Sequence, residues 1–187
     1  GPPTVNKPLR KYDEMKTLIL MRHAKSAWDN ADLPDIDRPL SPRGQKAAPL
    51  MGERLKKAGY RPDVILCSTA SRTRETLDLM AASLPKKAQI QVLKELYMAV
   101  PREMLNAIGK VADSAQTVLL VGHNPGIGSL AGWLAGEGDS ELLAKIRRKF
   151  PTAAAAVITF DVARWSDVAG EGGTLVDFLR PRDEDGD

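Results

Sequence analysis

The chain has 187 residues and a mass of 20.3 kDa, a length that suits one domain with a full hydrophobic core. Hydrophobic residues make up 43% of it and charged residues 27%, as in ordinary globular proteins, and no apolar run approaches the roughly 20 residues that span a bilayer. The net charge of +3 comes from basic residues spread along the chain, which disfavours nucleic-acid binding and suits an anionic small substrate or a phosphorylated protein.

The N-terminus, "GPPTVNKPLRKYDE", lacks the apolar segment of a secretory signal. We interpret its Gly-Pro as a remnant of protease cleavage and Met15 as a natural start. Residues 1–14 are therefore predicted to be a flexible extension or such a remnant, residues 15–180 a single domain and residues 181–187 an acidic tail. The single cysteine, Cys67, excludes an intrachain disulfide and favours a reducing cytoplasm. Because "VILC" ends an apolar run, we expect Cys67 to be a buried residue rather than a nucleophile.

Apolar runs of strand length recur along the chain. They cover residues 18–21, 64–67, 118–121, 157–160 and 175–179, with a weaker candidate at 89–93. The early runs are continuously apolar, which is typical of strands buried on both faces. The polar, proline-containing stretch 29–39 between the first strand and the first helix is predicted to be a loop.

Helical segments alternate with these strands. Five are predicted: from Ser41-Pro42 to Gly59, from Ser71 to about Ser83, over about 102–113, after "GHNPG", and from Asp139-Ser140 to about Lys149. Pro49 is expected to kink the first of them. This alternation predicts a three-layer α/β/α sandwich with a mostly parallel central sheet.

Ligands bind such sheets at the carboxyl ends of the strands. The two histidines of the chain, His23 and His123, each follow a predicted strand directly. Arg22 precedes His23, and Arg72 lies in the first turn of the helix after "CSTAS", which follows another strand. We therefore expect three strand-to-helix turns to bring these four side chains to one edge of the sheet.

The chemistry of these groups points to phosphoryl transfer. The donor fork of an arginine matches phosphate oxygens, so Arg22 and Arg72 near helix N-termini would form a phosphate pocket. A neutral imidazole there could attack phosphorus, and the second histidine, if cationic, would stabilise charge on the equatorial oxygens. No Cys/His/Asp cluster has metal-site spacing, so we predict no metal. Each residue alone has an ordinary interpretation, such as a surface Arg72 or Lys25 or a helix-capping Ser26, and only their joint placement favours function.

Three segments carry a further pattern: "LILMRHAKSAW", "STASRTRET" and "VGHNPG". In this order and spacing they resemble the R-H-G, second-arginine and second-histidine segments of the histidine phosphatase superfamily, which includes the cofactor-dependent phosphoglycerate mutases. The match runs from about residue 16 to residue 179. Within the superfamily, "RHAKSAW", "DIDRPLSPRG" and "ELYMA" are most similar to the short SixA-type phosphohistidine phosphatases, with Ala24 and Lys25 where the mutases have glycine and usually glutamate or glutamine.

This resemblance implies a phosphoglycerate mutase-like fold without a large lid insertion. It also implies a metal-independent phosphatase that needs no cofactor and forms a covalent phosphohistidine intermediate. The implied roles are the nucleophile (His23), the phosphate-binding side chains (Arg22, Arg72, His123) and two further neutral hydrogen-bonding groups (Ser26, Asn124).

Many members of the superfamily use a carboxylic acid after the third strand to protonate the leaving oxygen. Glu95 in "VLKELY" is the candidate here, against the alternative of an ordinary exposed glutamate, and Asp35 and Asp37 are weaker candidates. An alkoxide leaving group gains much from a general acid, whereas the imidazole that leaves phosphohistidine is less demanding. A poor acid would bias the site towards P–N cleavage, so this hypothesis predicts that Glu95→Gln slows phosphoester hydrolysis more than phosphohistidine hydrolysis.

The expected substrate is phosphohistidine on a phosphotransfer domain or phosphocarrier protein. Because only the loop 29–39 is long enough to cover the site, the site should be open to a folded protein and too exposed to water for mutase chemistry. Three alternatives stay open at this point: a small-molecule phosphomonoesterase on the same scaffold, a phosphate-binding module without turnover, and a basic nucleic-acid-binding protein. The last is disfavoured because aromatic residues make up only 5% of the chain.

Overall fold

The computed structural model describes residues 15–181. The expectations for residues 1–14 and for 182–187 of the acidic tail lie outside this range, and the division into domains stays a prediction. Within it, the chain forms seven strands: β1 Met15–Arg22, β2 Val64–Ser68, β3 Gln89–Leu93, β4 Thr117–Gly122, β5 Ala135–Gly138, β6 Ala155–Asp161 and β7 Gly173–Leu179. They form one sheet in the order β3-β2-β4-β1-β6-β7-β5, in which β6 alone runs antiparallel to its neighbours. The predicted mostly parallel sheet is confirmed.

Five α-helices connect the strands within the described residues. They are α1 Pro42–Lys57, α2 Ser71–Met80, α3 Pro101–Gly109, α4 Gly126–Leu134 and α5 Ser140–Arg148. The side chain of Ser41 caps α1 as expected, accepting a hydrogen bond from Gly44 N. The helix continues through Pro49, where the kink stays a prediction, and stops before Gly59, whose φ of +89° suits glycine. None of the helices in this part of the chain is long and apolar enough to cross a membrane.

The side chains of each central strand alternate between two hydrophobic clusters. Leu18 and Leu20 of β1 belong to a cluster with residues of α3, α4 and α5 on one face of the sheet. Ile19 and Met21 belong to a second cluster with residues of α1 and α2 on the other face. All four are fully buried, and burial of a large apolar side chain contributes roughly 1.5–3 kcal/mol. Strand β1 is therefore packed between two layers of helices, as in the predicted three-layer sandwich.

Strand β5 was not predicted from the sequence. Its four residues, "AGEG", show no apolar run, and the strand forms by pairing with β7. Gly136 lies so close to Glu171 that a Cβ atom on it would stand 2.1 Å from the Glu171 carbonyl oxygen. The strand therefore forms because two backbone segments pack closely together. Hydrophobic periodicity in the sequence does not reveal such packing.

The predicted loop between β1 and α1 folds back onto the chain that follows His23. Ser41 donates hydrogen bonds from its backbone N and its side chain to Lys25 O, at 2.9 and 3.1 Å. Ser26 forms a β-bridge with Leu40. Within the loop, Asp35–Asp37 forms a short 3-10 turn. This return path places the turn beside the carboxyl end of the sheet.

Candidate active site

The two histidines lie side by side because their strands do. Parallel strands β1 and β4 are paired in a register that sets Arg22 opposite Gly122, so each histidine is the next residue beyond its strand. His23 N donates a hydrogen bond to Gly122 O at 3.1 Å, and the two imidazole ring centroids are 5.4 Å apart. Both side chains are buried, so they form the floor of a site at the sheet edge.

Arg72 closes this floor from a third direction. It is the second residue of α2 and is 2% exposed, and its Nε donates a hydrogen bond to His23 Nε2 at 3.3 Å. Arg22, at the end of β1, donates from Nη1 to Phe150 O at 3.0 Å. A cleft of about 290 Å³ opens above these groups, lined by Arg22, His23, Lys25, Ser26, Trp28, Asp35, Arg38, Arg72, Met98, His123, Asn124 and Thr152. The structure thus brings together six of the seven side chains with a main predicted role, and with them Asp35, one of the two weaker candidates for the acid.

The hydrogen bonds of His23 show which ring nitrogen is protonated and which carries a lone pair. Nδ1 lies 2.6 Å from Ala24 O, and since a carbonyl oxygen only accepts, Nδ1 carries the proton. Nε2 is then an acceptor, consistent with the N–H that Arg72 directs at it. Burial lowers the pKa of His23 to about 3, aided by the nearby positive groups, although the bond to Ala24 acts in the opposite direction. His23 is therefore neutral at neutral pH, with the Nε2 lone pair inside the cleft region.

His123 is also neutral in this state. Its Nε2 lies 2.8 Å from Ser68 Oγ at the end of β2, and its buried Nδ1 has no hydrogen-bond partner among residues 15–181. Burial, followed by the charge of Arg72, lowers the pKa of His123 to about 4. The cationic form considered in the sequence analysis thus requires an added negative charge, such as a bound phosphoryl group.

Asp35 makes the densest set of polar contacts in the cleft. Its backbone O accepts from Arg72 Nη1 at 2.8 Å, and its Oδ2 accepts from Arg72 Nη2 at 3.0 Å. Its Oδ1 accepts from Arg38 Nε at 3.0 Å, and the Tyr97 hydroxyl donates to Oδ2. The Tyr97 bond, then those from Arg38 and Arg72, hold the pKa of Asp35 well below its usual range. Asp35 is therefore ionised at neutral pH and acts as a hydrogen-bond acceptor, not a proton donor.

Arg38 connects this carboxylate to the outer wall of the cleft. It is buried, and its Nη1 donates to Ser26 Oγ at 2.7 Å. Its guanidinium carbon lies 3.4 Å from the ring centroid of Trp28, whose side chain is 75% exposed. Ser26 lies in the β-bridge to Leu40 and not at a helix N-terminus, so it is an acceptor for Arg38 rather than the helix cap considered from the sequence.

Asn124 joins the site to the segment before β6. Its Nδ2 donates to Phe150 O at 3.0 Å, and its Oδ1 accepts from Gly128 N at 3.0 Å. Phe150 O is the same oxygen that receives Arg22 Nη1. Asn124 therefore fixes the backbone oxygen that orients Arg22, in addition to lining the cleft.

Glu95, like the weaker candidate Asp37, does not line the cleft. It lies in the 3-10 turn Lys94–Leu96 after β3, where its side chain is exposed. Two residues further on, Tyr97 packs edge-on against His123 with ring centroids 5.5 Å apart. The sequence analysis assigned no role to Tyr97, Arg38 or Trp28, although all three lie in the segments that carry the family resemblance. Their location in these segments was the only signal in the sequence, because their contacts form only when the loop 29–39 folds back.

The arrangement is suited to nucleophilic attack on a phosphoryl group. An unprotonated imidazole nitrogen lies beside a guanidinium that is in turn held by a carboxylate, and a second guanidinium faces the same cleft. Within residues 15–181, no group of three or more His, Cys, Asp or Glu side chains is arranged to hold a metal ion.

The chain is similar to known proteins both in sequence and in structure. A model of the histidine phosphatase superfamily (branch 1) matches residues 18–98. An uncharacterized protein of Mycobacterium tuberculosis is 38% identical over 164 residues, which are 87% of this chain and 100% of that protein. The solved structure of SixA from Nakamurella multipartitia is 34% identical with a TM-score of 0.78, covering 89% of this chain and 96% of that one. The protein histidine phosphatase SixA complexed with tungstate is 25% identical with a TM-score of 0.71, covering 88% of this chain and 97% of that one.

The family model ends before His123, whereas the structural likeness covers 89% of the chain. It also confirms the expected phosphoglycerate mutase-like sandwich without a large insertion, since almost all of each neighbour is matched. On the similarity of sequence and of structure, the chain belongs to the histidine phosphatase superfamily and is of the SixA type.

Proposed function

We propose that this protein removes the phosphoryl group from phosphohistidine on a phosphotransfer or phosphocarrier protein, through a covalent intermediate on His23 and without a metal or cofactor. Membership of the superfamily together with the likeness to SixA structures supports phosphatase activity. The likeness to SixA structures supports the phosphohistidine substrate. One of these relatives is complexed with tungstate, a tetrahedral oxyanion of the shape of phosphate, which supports an oxyanion as ligand.

In the first step, the phosphoryl oxygens accept the Arg72 N–H that is bonded to His23 Nε2, which frees the lone pair of this nitrogen, and Nε2 attacks phosphorus. A new N–P bond forms as the P–N bond of the substrate breaks, and the electron pair of the broken bond stays on the leaving ring nitrogen. Arg22 and Arg72 neutralise the phosphoryl oxygens. The bound negative charge raises the pKa of His123 from about 4, so that this ring becomes able to donate a proton to an equatorial oxygen in a hydrogen bond.

In the second step, water replaces His23 on phosphorus. An O–P bond forms, the N–P bond to His23 breaks, and inorganic phosphate leaves with both protons of the water, one of which solvent then accepts. The electron pair returns to Nε2 while the proton on Nδ1 stays bonded to Ala24 O, so the ring regains its starting tautomer. The buried position of His23 fixes the ring for both steps.

The observation that carries the choice of phosphohistidine is the acid–base character of the cleft. Among the described residues, Asp35 is the only carboxylate that lines it, and Asp35 is ionised. Glu95, the acid expected from the family, lies outside the lining. A phosphomonoester must expel an alkoxide or a phenoxide, which gains from a proton donor, whereas phosphohistidine with a protonated ring expels a neutral imidazole. This cleft therefore suits P–N cleavage better than P–O cleavage.

The proposal is tested by following phosphate release from a phosphohistidine-bearing carrier protein and from phenyl phosphate, in the presence of a chelator. Wild type, His23→Ala and Asp37→Asn are compared, the last as a control on an exposed carboxylate outside the cleft. We expect wild type and the control to act much faster on the carrier, and His23→Ala to act on neither substrate. Efficient ester hydrolysis with inert carriers would replace the proposal by a small-molecule phosphomonoesterase. Oxyanion binding without turnover of either substrate would replace it by a binding module.

The same proposal includes a cytoplasmic location. The single cysteine, Cys67, is buried and its burial raises the pKa of the thiol to about 12, which suits a reduced structural residue.

A further inference from the structure

The cleft has a buried floor and an exposed mouth. His23, His123 and Arg72 form the floor and are at most 6% exposed. The mouth is formed by side chains that reach solvent. The side chain of Asp35 is 46% exposed, and Trp28 is 75% exposed. In-line displacement places the leaving group opposite the attacking atom. With His23 on the floor, the leaving group must therefore lie at the mouth.

We propose that Asp35 and Trp28 form the subsite for the leaving imidazole ring of phosphohistidine. In this subsite the Asp35 carboxylate accepts a hydrogen bond from the ring N–H that is not bonded to phosphorus, and the exposed indole packs against the ring. The inference rests on the proposed function, because it assigns the leaving group of that same reaction.

The contacts of Asp35 leave it available for this role. Phosphoryl oxygens compete with Oδ2 of Asp35 for Arg72 Nη2, because both are anionic acceptors for one donor. Arg38 and Tyr97 continue to hold the carboxylate when that bond is exchanged. Binding of the phosphoryl group thus frees acceptor capacity on Asp35 at the mouth of the cleft.

The electrostatics of Asp35 favour one leaving group over the other. A carboxylate stabilises a ring that carries positive charge, and a positively charged ring is the better leaving group. The ring keeps its N–H bond throughout, and the electron pair of the broken P–N bond neutralises the ring. An alkoxide leaving group would instead build negative charge beside the same carboxylate, which has no proton to give. Asp35 would therefore determine specificity for P–N substrates.

Trp28 offers a flat apolar surface beside this carboxylate. One face of its indole is covered by Arg38, which holds the ring in place. The rest of the side chain is open to solvent at the cleft, as a stacking surface for a planar ring requires.

The test measures kcat/KM for a phosphohistidine peptide and for phenyl phosphate in parallel. Asp35→Asn removes a hydrogen bond to a charged group. We therefore expect it to lower the ratio of kcat/KM for the phosphohistidine peptide to kcat/KM for phenyl phosphate by about 10-fold or more. Trp28→Ala should raise KM for the peptide and also for phenyl phosphate, whose planar ring would lie in the same subsite, and should leave an alkyl ester such as ethyl phosphate nearly unchanged. Trp28→Phe should restore part of the loss. Asp37→Asn, the same change two residues away and outside the cleft, should leave the ratio unaltered.

A binding measurement separates this role from a purely structural one. Tungstate titrated into Asp35→Asn by calorimetry should bind at least as tightly as to wild type, since a competing anion on Arg72 is removed. Equal losses on both substrates with weakened tungstate binding would show that Asp35 only positions Arg72, and would overturn the inference. If wild type hydrolyses esters and no phosphohistidine peptide, the proposed function itself falls, and that outcome is visible before any variant is made.

Discussion

Arg72 Nε lies 3.3 Å from His23 Nε2, so the nitrogen expected to attack phosphorus is also held by the side chain expected to bind the phosphoryl group. The carboxylate of Asp35 holds the other end of the same guanidinium at 3.0 Å. A change at Arg72 should therefore affect both orientation of the nucleophile and binding of the phosphoryl group.

We expect Arg72→Lys to lower kcat/KM by about 10²–10³, because a lysine keeps the charge but lacks the planar fork that contacts two partners at once. Steady-state kinetics on a phosphohistidine peptide would measure this loss. Arg74→Lys provides the matched control, since Arg74 is exposed on the same helix. Near-normal activity of Arg72→Lys would show that charge alone is needed.

The free energy of unfolding should decrease at acid pH because the two histidines of the site are buried. Their folded pKa values of about 3 and about 4 lie below the ordinary value of 6.5, so between these values the unfolded chain binds protons that the folded chain excludes. The free energy of unfolding therefore decreases as pH falls below 6.5, by up to about 1.4 kcal/mol per pH unit for each histidine. Urea denaturation of wild type and His123→Asn between pH 7 and pH 5 would measure the slope, which should be smaller in the variant. An equal slope in both proteins would mean that His123 does not resist protonation.

Glu95→Gln should change kcat/KM by no more than about twofold on either a phosphohistidine peptide or phenyl phosphate, since an exposed side chain outside the cleft has no contact to lose. This expectation replaces the larger effect on phosphoesters that the family pattern suggested. Parallel assays with both substrates measure it. A selective loss of ester hydrolysis would return Glu95 to the role of general acid.

Gly44→Ala should weaken both stability and activity. A Cβ atom on Gly44 would stand 2.1 Å from Lys25 O, so the segment after His23 would have to move away from α1. Such overpacking costs about 1–3 kcal/mol, measurable by thermal denaturation, and kcat/KM should fall with it. Gly109→Ala is the control, because its Cβ would meet only Ser166, at 3.6 Å. Equal melting temperatures for the two variants would contradict the tight approach at Gly44.

Much of the fold followed from local signals in the sequence. Continuously apolar runs marked the central strands because those strands are buried on both faces, and the capping residue Ser41 marked the start of α1. The meeting of His23 with His123 was predictable because the ends of parallel strands share one edge. Strand β5 was not predictable, since "AGEG" depends on its pairing with β7.

The outer part of the cleft was harder to predict for a different reason. Asp35, Arg38 and Trp28 reach the site only because the loop returns along residues 25–27, through contacts that no periodicity encodes. The position of a carboxylate after the third strand suggested Glu95, whereas the chain turns so that Tyr97 faces His123 instead. The location of a residue at the edge of the sheet was therefore predictable for strand ends and less predictable for loops and turns.

The most direct test of the account is to trap the phosphoryl group on the protein. A carrier protein labelled with ³²P on histidine would be mixed with excess enzyme, quenched in alkali within milliseconds to seconds, and the labelled peptide identified by mass spectrometry. The account predicts an acid-labile, alkali-stable label on the peptide that contains His23, absent from His23→Ala. Phosphate release at the wild-type rate by His23→Ala, or a label on any other residue, would contradict it.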